Sequence, residues 1–157
     1  MRPIKNAATK TFLLLALSAF LFSFIPFGGD SFQVYVDKKL VLDQAMHNYT
    51  SIKNLELDSK NPSAVVEVFY RHCGQIGNAR HLQVRDENNR LLKEWVFADG
   101  SGTKDYMTCT VKDLLDLQKA NGKSQLNFYY SSKELPKGQH LVSIGLNGSN
   151  GSNKTKP

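Results

Sequence analysis

From Ser31 to Val36 apolar and polar side chains alternate, with Phe32, Val34 and Val36 on one side and Ser31, Gln33 and Tyr35 on the other. A period of two marks a half-buried β-strand. Asp37-Lys38-Lys39 interrupts the pattern and residues 40–46 resume an apolar-rich run, so the pair reads as a hairpin. Residues 52–57 predict a third strand with Leu55 and Leu57 on one face, and Asn61-Pro62 a turn. Residues 64–70 are nearly all β-branched, aromatic or otherwise apolar, with Glu67 the polar exception, so this strand is expected to be covered on both faces. Residues 81–85 and 91–97 predict two strands. They are joined by Asp86-Glu87-Asn88-Asn89-Arg90, a turn built from residues that tolerate left-handed dihedrals.

One helix stands out. Thr110 precedes Asp113 by three residues, in the manner of a capping box. Val111, Leu114, Leu115 and Leu117 share one helical face, and Asn121-Gly122 supplies the stop. Two further strands follow, over residues 125–131 and 140–146, separated by the turn Glu134-Leu135-Pro136-Lys137-Gly138. Short strands at hairpin spacing with a single helical connection predict a mainly β domain. The expected architecture is an antiparallel β-sandwich of Ig-like, Greek-key type with one short helix. The Ig signature itself is missing: Trp95 lies between the two cysteines, but their spacing is shorter than that pattern requires.

The ends of the chain read differently. Arg2, Lys5 and Lys10 precede or open the apolar run 12–27. As a helix that run would reach about 24 Å, short of a hydrocarbon core about 30 Å thick. Residues 1–29 are therefore expected to be a signal peptide or, if uncleaved, an N-terminal anchor. Residues 30–146 form the expected β-sandwich domain. Residues 147–157, rich in Gly, Ser, Asn and Lys, form an expected disordered tail. Net charge is +6, but the excess sits in the leader and the tail, and the domain between them is nearly neutral. This argues against nucleic acid as a partner, and membrane contact is expected only through residues 1–29 if they remain uncleaved. The localisation implied is exported: periplasm or cell surface.

In an oxidising compartment two cysteines predict one disulfide, Cys73–Cys109. It would close a loop of about 37 residues, worth roughly 4 kcal/mol in the chain-entropy model. The densest run of reactive side chains is residues 71–81. His72, His81 and Met107 are candidate ligands for a soft metal, without the close pairing zinc sites favour. Arg71 and Arg80, flanking a loop with Gly74 and Gly77, are candidate anion-binding residues. That loop leads into a strand rather than a helix, so the phosphate-loop mechanism does not apply, and two glycines in a connection are explained by turn geometry. Cys73 and His72 are adjacent, and so poorly placed to act as nucleophile and base from a strand. No catalytic residues are assigned and no cofactor is expected.

The segments His72-Cys73-Gly74-Gln75-Ile76-Gly77, Leu92-Lys93-Glu94-Trp95-Val96-Phe97 and residues 129–138 resemble those of small exported proteins of Bacteroidota-type bacteria. The resemblance covers roughly residues 31–146. It implies bacterial export and a periplasmic or surface location, and carries no activity. The sequence thus predicts an exported non-enzymatic binding or envelope-structural domain whose partner is an unidentified protein or envelope component. The alternative is a periplasmic soft-metal or small-ligand binding protein.

Overall fold

The computed structural model describes residues 29–100, 105–122 and 125–147. The expected leader and the expected tail lie outside these, except for Gly29 and for Asn147, which ends the last strand. Strands hold 54% of the described residues and helices 12%, so the domain is mainly β. The strands are β1 (Ser31–Val36), β2 (Lys39–Ala45), β3 (Lys53–Asp58), β4 (Val65–Arg71), β5 (Arg80–Arg85), β6 (Leu91–Phe97), β7 (Met107–Thr110), β8 (Gln125–Ser131) and β9 (Gln139–Asn147). A 3-10 turn (Met46–Asn48) follows β2, and the helix α1 (Val111–Asn121) joins β7 to β8. Among the described residues no helix is long and apolar enough to cross a membrane.

Two sheets form. One has four strands in the order β2-β1-β4-β7, and the other five in the order β3-β9-β8-β5-β6. All pairings are antiparallel except β3 with β9. Both sheets contribute to one hydrophobic core. Phe32, Val34, Val66, Val68 and Met107 come from the first, and Leu82, Val84, Leu126, Phe128, Val142 and Ile144 from the second. Each is fully or almost fully buried. The other face of β4 is partly covered as well: Phe69 is buried against Tyr106, with Arg71 over its ring.

The local signals behave as their chemistry requires. Thr110 accepts from the Asp113 backbone N–H while the Asp113 carboxylate accepts from the Thr110 N–H, and Gly122 ends α1 at φ 61°. The Asp86 carboxylate accepts from the backbone N–H groups of Asn88 and Arg90, and Asn89 takes the left-handed conformation. The strand β7 was not predicted. Its four residues abut the helix cap and are too few to show a period, and its place in the sheet comes from pairing with β4.

The expected disulfide is a correction. Cys73 and Cys109 are both free thiols, Cys73 exposed and Cys109 buried. Cys109 pairs in register with Val66 across β4 and β7, whereas Cys73 lies seven residues farther along the chain from Val66, beyond the end of β4. At about 3.3 Å per residue that separation is on the order of 20 Å, against a ceiling of about 7 Å between the Cα atoms of a disulfide. Burial pushes the Cys109 thiol up to about 12, with the Asp113 carboxylate adding to the shift. Thiol titration of the native protein should therefore report one fast group, Cys73, and a second only after unfolding. A count of zero in denaturant without reductant would restore the disulfide.

Candidate functional site

The chain leaves β4 through a two-residue reversal. His72 and Gln75 exchange backbone hydrogen bonds (2.7 and 2.9 Å), and both central residues have positive φ, Cys73 at 48° and Gly74 at 89°. That is the primed hairpin geometry glycine suits and cysteine does not. Gly77 is required for another reason: a Cβ there would overlap the Tyr130 hydroxyl and crowd the His72 ring.

This reversal places His72 over the open end of the core. The Asp30 carboxylate, just before β1, accepts through one oxygen from the Tyr70 hydroxyl (2.9 Å) and from His72 Nδ1 (3.1 Å). With Nδ1 donating, the neutral ring leaves Nε2 as an acceptor. Two hydroxyls of the opposite sheet face it, those of Tyr130 and Ser132, each at 3.1 Å. Tyr70 and Tyr130 stack across the two sheets, with ring centroids 4.1 Å apart and planes 12° apart. Glu134, two residues beyond Ser132, accepts from the Asn78 backbone and side chain at 3.0 and 2.7 Å. Burial tends to raise the Glu134 carboxyl, but the bonds from Asn78, from its own backbone and from Ser132 outweigh it and hold it at about 2. Burial, then the Asp30 carboxylate, holds the Tyr70 phenol far above its ordinary range, and burial raises Tyr130 as well.

Asp30, His72 and Ser132 have the distances of a serine–histidine–aspartate relay, but the setting differs. Ser132 is only 5% exposed, and its oxygen also takes the Leu135 backbone N–H at 3.2 Å. The single lone pair on Nε2 is contested by Tyr130, whose phenol keeps its proton. A serine so placed is neither open to a substrate nor the sole partner of its base.

The residues singled out from the sequence do not converge. His72 sits in the cluster just described. His81 is on β5, where its Nδ1 lies 3.2 Å from Glu94 without hydrogen-bond alignment, and Met107 is fully buried in the core. Among the described residues no group of three His, Cys, Asp or Glu side chains could hold a metal ion. Arg71 is exposed over the Phe69 ring. Arg80 is 5% exposed, and its guanidinium donates to the Ala98 carbonyl (3.1 and 2.7 Å) and the Asp105 carbonyl (2.6 Å). It ties Ala98 and Asp105 to β5 instead of pairing with Arg71 around an anion. Sequence reasoning named His72 but did not connect it with Asp30, Tyr70, Tyr130 or Ser132. The signal available was polar or amphipathic side chains at the ends of strands otherwise reading as core.

A second feature lies on the outward face of the five-stranded sheet. His140 stacks on Tyr129, with centroids 4.6 Å apart, and Arg85 covers that tyrosine ring. His140 Nε2 is buried without a partner, and burial lowers its pKa despite an opposing backbone bond at Val142. The unfolded chain, with histidine near its ordinary value of about 6.5, then binds the proton more readily than the native one. Stability is full above that value and falls as pH drops toward the lower native value. Urea midpoints at about pH 7.5 and about pH 5 should therefore differ less in His140→Gln than in the parent chain.

Comparison with known proteins gives no match, either to a protein-family model or to a curated protein.

Proposed function

We propose that this is an exported domain of Ig-like Greek-key sandwich type that works by binding a component of the cell envelope and not by catalysis. The strand orders support the architecture. β3-β9-β8-β5-β6, with the first pair parallel, and β1-β4-β7 follow the arrangement of an Ig-type sandwich, with β2 added at one edge and α1 in the connection between sheets. In that scheme β4 and β8 are the strands an antibody domain joins by a disulfide. Here Tyr70 and Tyr130 meet at the corresponding place, backed by Asp30, His72 and Ser132.

The observation that carries the reading is the closure of this cluster. The Asp30 carboxylate and the Tyr70, Tyr130 and Ser132 hydroxyls are engaged with His72 and with neighbouring groups, the exposed Cys73 thiol facing the second Asp30 oxygen at 3.9 Å, and a network joined across the two sheets in this way suits a staple better than a reactive centre. Export is supported by the basic and apolar character of residues 1–29. Two measurements test the proposal. Purified protein should bind saturably to native envelope fragments, and a fluorophosphonate probe should leave Ser132 unlabelled. Cytoplasmic retention of the full chain, absence of envelope binding, or labelling lost in Ser132→Ala would each defeat it.

A further inference from the structure

Strands disfavour asparagine, aspartate and glycine, because these fill a pleated surface poorly or compete for its backbone bonds. At one end of the outward face of β3, β9 and β8 the residues are nevertheless small or polar, asparagine and glycine among them. Glu56, Gly145 and Gln125 stand in one row across the three strands, and Asn54, Ser143 and Asn127 in the next. Asn147 lies two residues beyond Gly145 on β9. The row containing Ser143 is closed, since its hydroxyl donates to Asn127 at 2.7 Å. The row containing Gly145 is open.

At Gly145 the sheet has a depression of about 210 Å³ lined by Asn54, Glu56, Gln125, Gly145 and Asn147. It exists because residue 145 has no side chain: a Cβ there would overlap the Glu56 carboxylate. Glu56 lies flat across the β9 backbone, held by the Asn147 amide, which donates to one of its oxygens at 2.5 Å. The side-chain amides of Asn54 and Gln125 make no hydrogen bond among the described residues. The depression therefore presents one fixed carboxylate between two free amides, each amide both donor and acceptor.

We infer that this depression binds one ring of a neutral, hydroxyl-rich glycan. A sugar hydroxyl donates and accepts at once, which matches a carboxylate flanked by amides. No basic side chain among the described lining residues would select an anion, and no aliphatic or aromatic one would select an apolar ligand. One carboxylate, already held by an amide, is a poor nest for a divalent cation, which wants several oxygen ligands. The volume admits one hexose-sized ring, so a polymer would be gripped at one residue or at its end. The inference rests on the binding reading above and names the chemistry of its partner.

The test is calorimetric titration of the full chain with glucose, galactose, mannose, N-acetylglucosamine, cellotetraose, maltotetraose and mannotetraose. At least one should bind, and Glu56→Gln and Gly145→Val should each weaken it about tenfold or more, the scale of one lost charge-assisted bond. Valine suits a strand, and the three atoms nearest an added Cβ all belong to the flexible Glu56 carboxylate, so that variant should fold; Asn54→Ala, at an exposed position, is the second check. No binding by any of these sugars overturns the inference, as does binding that all three variants leave unchanged. A rise in unfolding temperature with calcium chloride, reversed by EDTA and lost in Glu56→Gln, overturns it in favour of a cation site. Envelope binding that persists in Glu56→Gln and Gly145→Val removes the glycan site alone, whereas loss of envelope binding by the parent chain removes the wider reading.

Discussion

Replacing Tyr130 with alanine should lower the unfolding free energy by about 4 kcal/mol, the cost of emptying a fully buried aromatic position. The residue is 0% exposed, stacks on Tyr70 and offers its hydroxyl to His72. Tyr130→Phe separates the two contributions. It keeps the ring and the stack but leaves His72 Nε2 with Ser132 alone, and should cost about 1–2 kcal/mol. Coupling the tyrosine change to His72→Ala in a double-mutant cycle should return an interaction energy of about 1 kcal/mol. The measurement is equilibrium urea unfolding at neutral pH. Strict additivity of Tyr130→Phe and His72→Ala would mean that the cluster does not act as a unit across the sheets, and the staple reading would fail with it.

The second large effect is expected at Arg80. Alanine there removes three N–H donors from a nearly buried site and strips the Ala98 and Asp105 carbonyls of these bonds. Losing three hydrogen bonds from a charged group at a part-buried site makes a loss of about 3 kcal/mol the expected outcome. Arg80→Lys should recover little, since one ammonium cannot span the Ala98 and Asp105 carbonyls as a planar fork does. If Arg80→Ala unfolds at the parent's urea midpoint, Arg80 is free to serve a ligand, and the anion reading of Arg71 and Arg80 would regain its footing.

The elements of this fold were legible because their signals are local. Alternation over Ser31–Val36 reports which side of a strand faces the core. The Thr110–Asp113 spacing reports a helix start, and the run Asp86-Glu87-Asn88-Asn89-Arg90 a reversal; each needs only neighbouring residues to be interpreted. The candidate sites were not legible in this way. His72 stood out as a residue type, but its partners come from positions 30, 70, 130 and 132, and no spacing connects them. The disulfide inference failed for the same reason, because two cysteines and an export signal carry no register. Pairing Val66 with Cys109 moves Cys73 to the far end of the sheet. Gly145 acquired meaning only when β3 and β8 set Glu56 and Gln125 on either side of it.

By itself, then, the chain determined every described strand but β7, the helix with both of its caps, the turns between the predicted strands and the mainly β class, all of which follow from interactions within a few residues. Tertiary structure alone decided which strands are neighbours. That choice closed Asp30, His72, Tyr70, Tyr130 and Ser132 into one network, separated the two thiols, committed Arg80 to backbone carbonyls and opened a polar hollow at Gly145. These depend on contacts between positions far apart in sequence, whose geometry is fixed only once both sheets share a core.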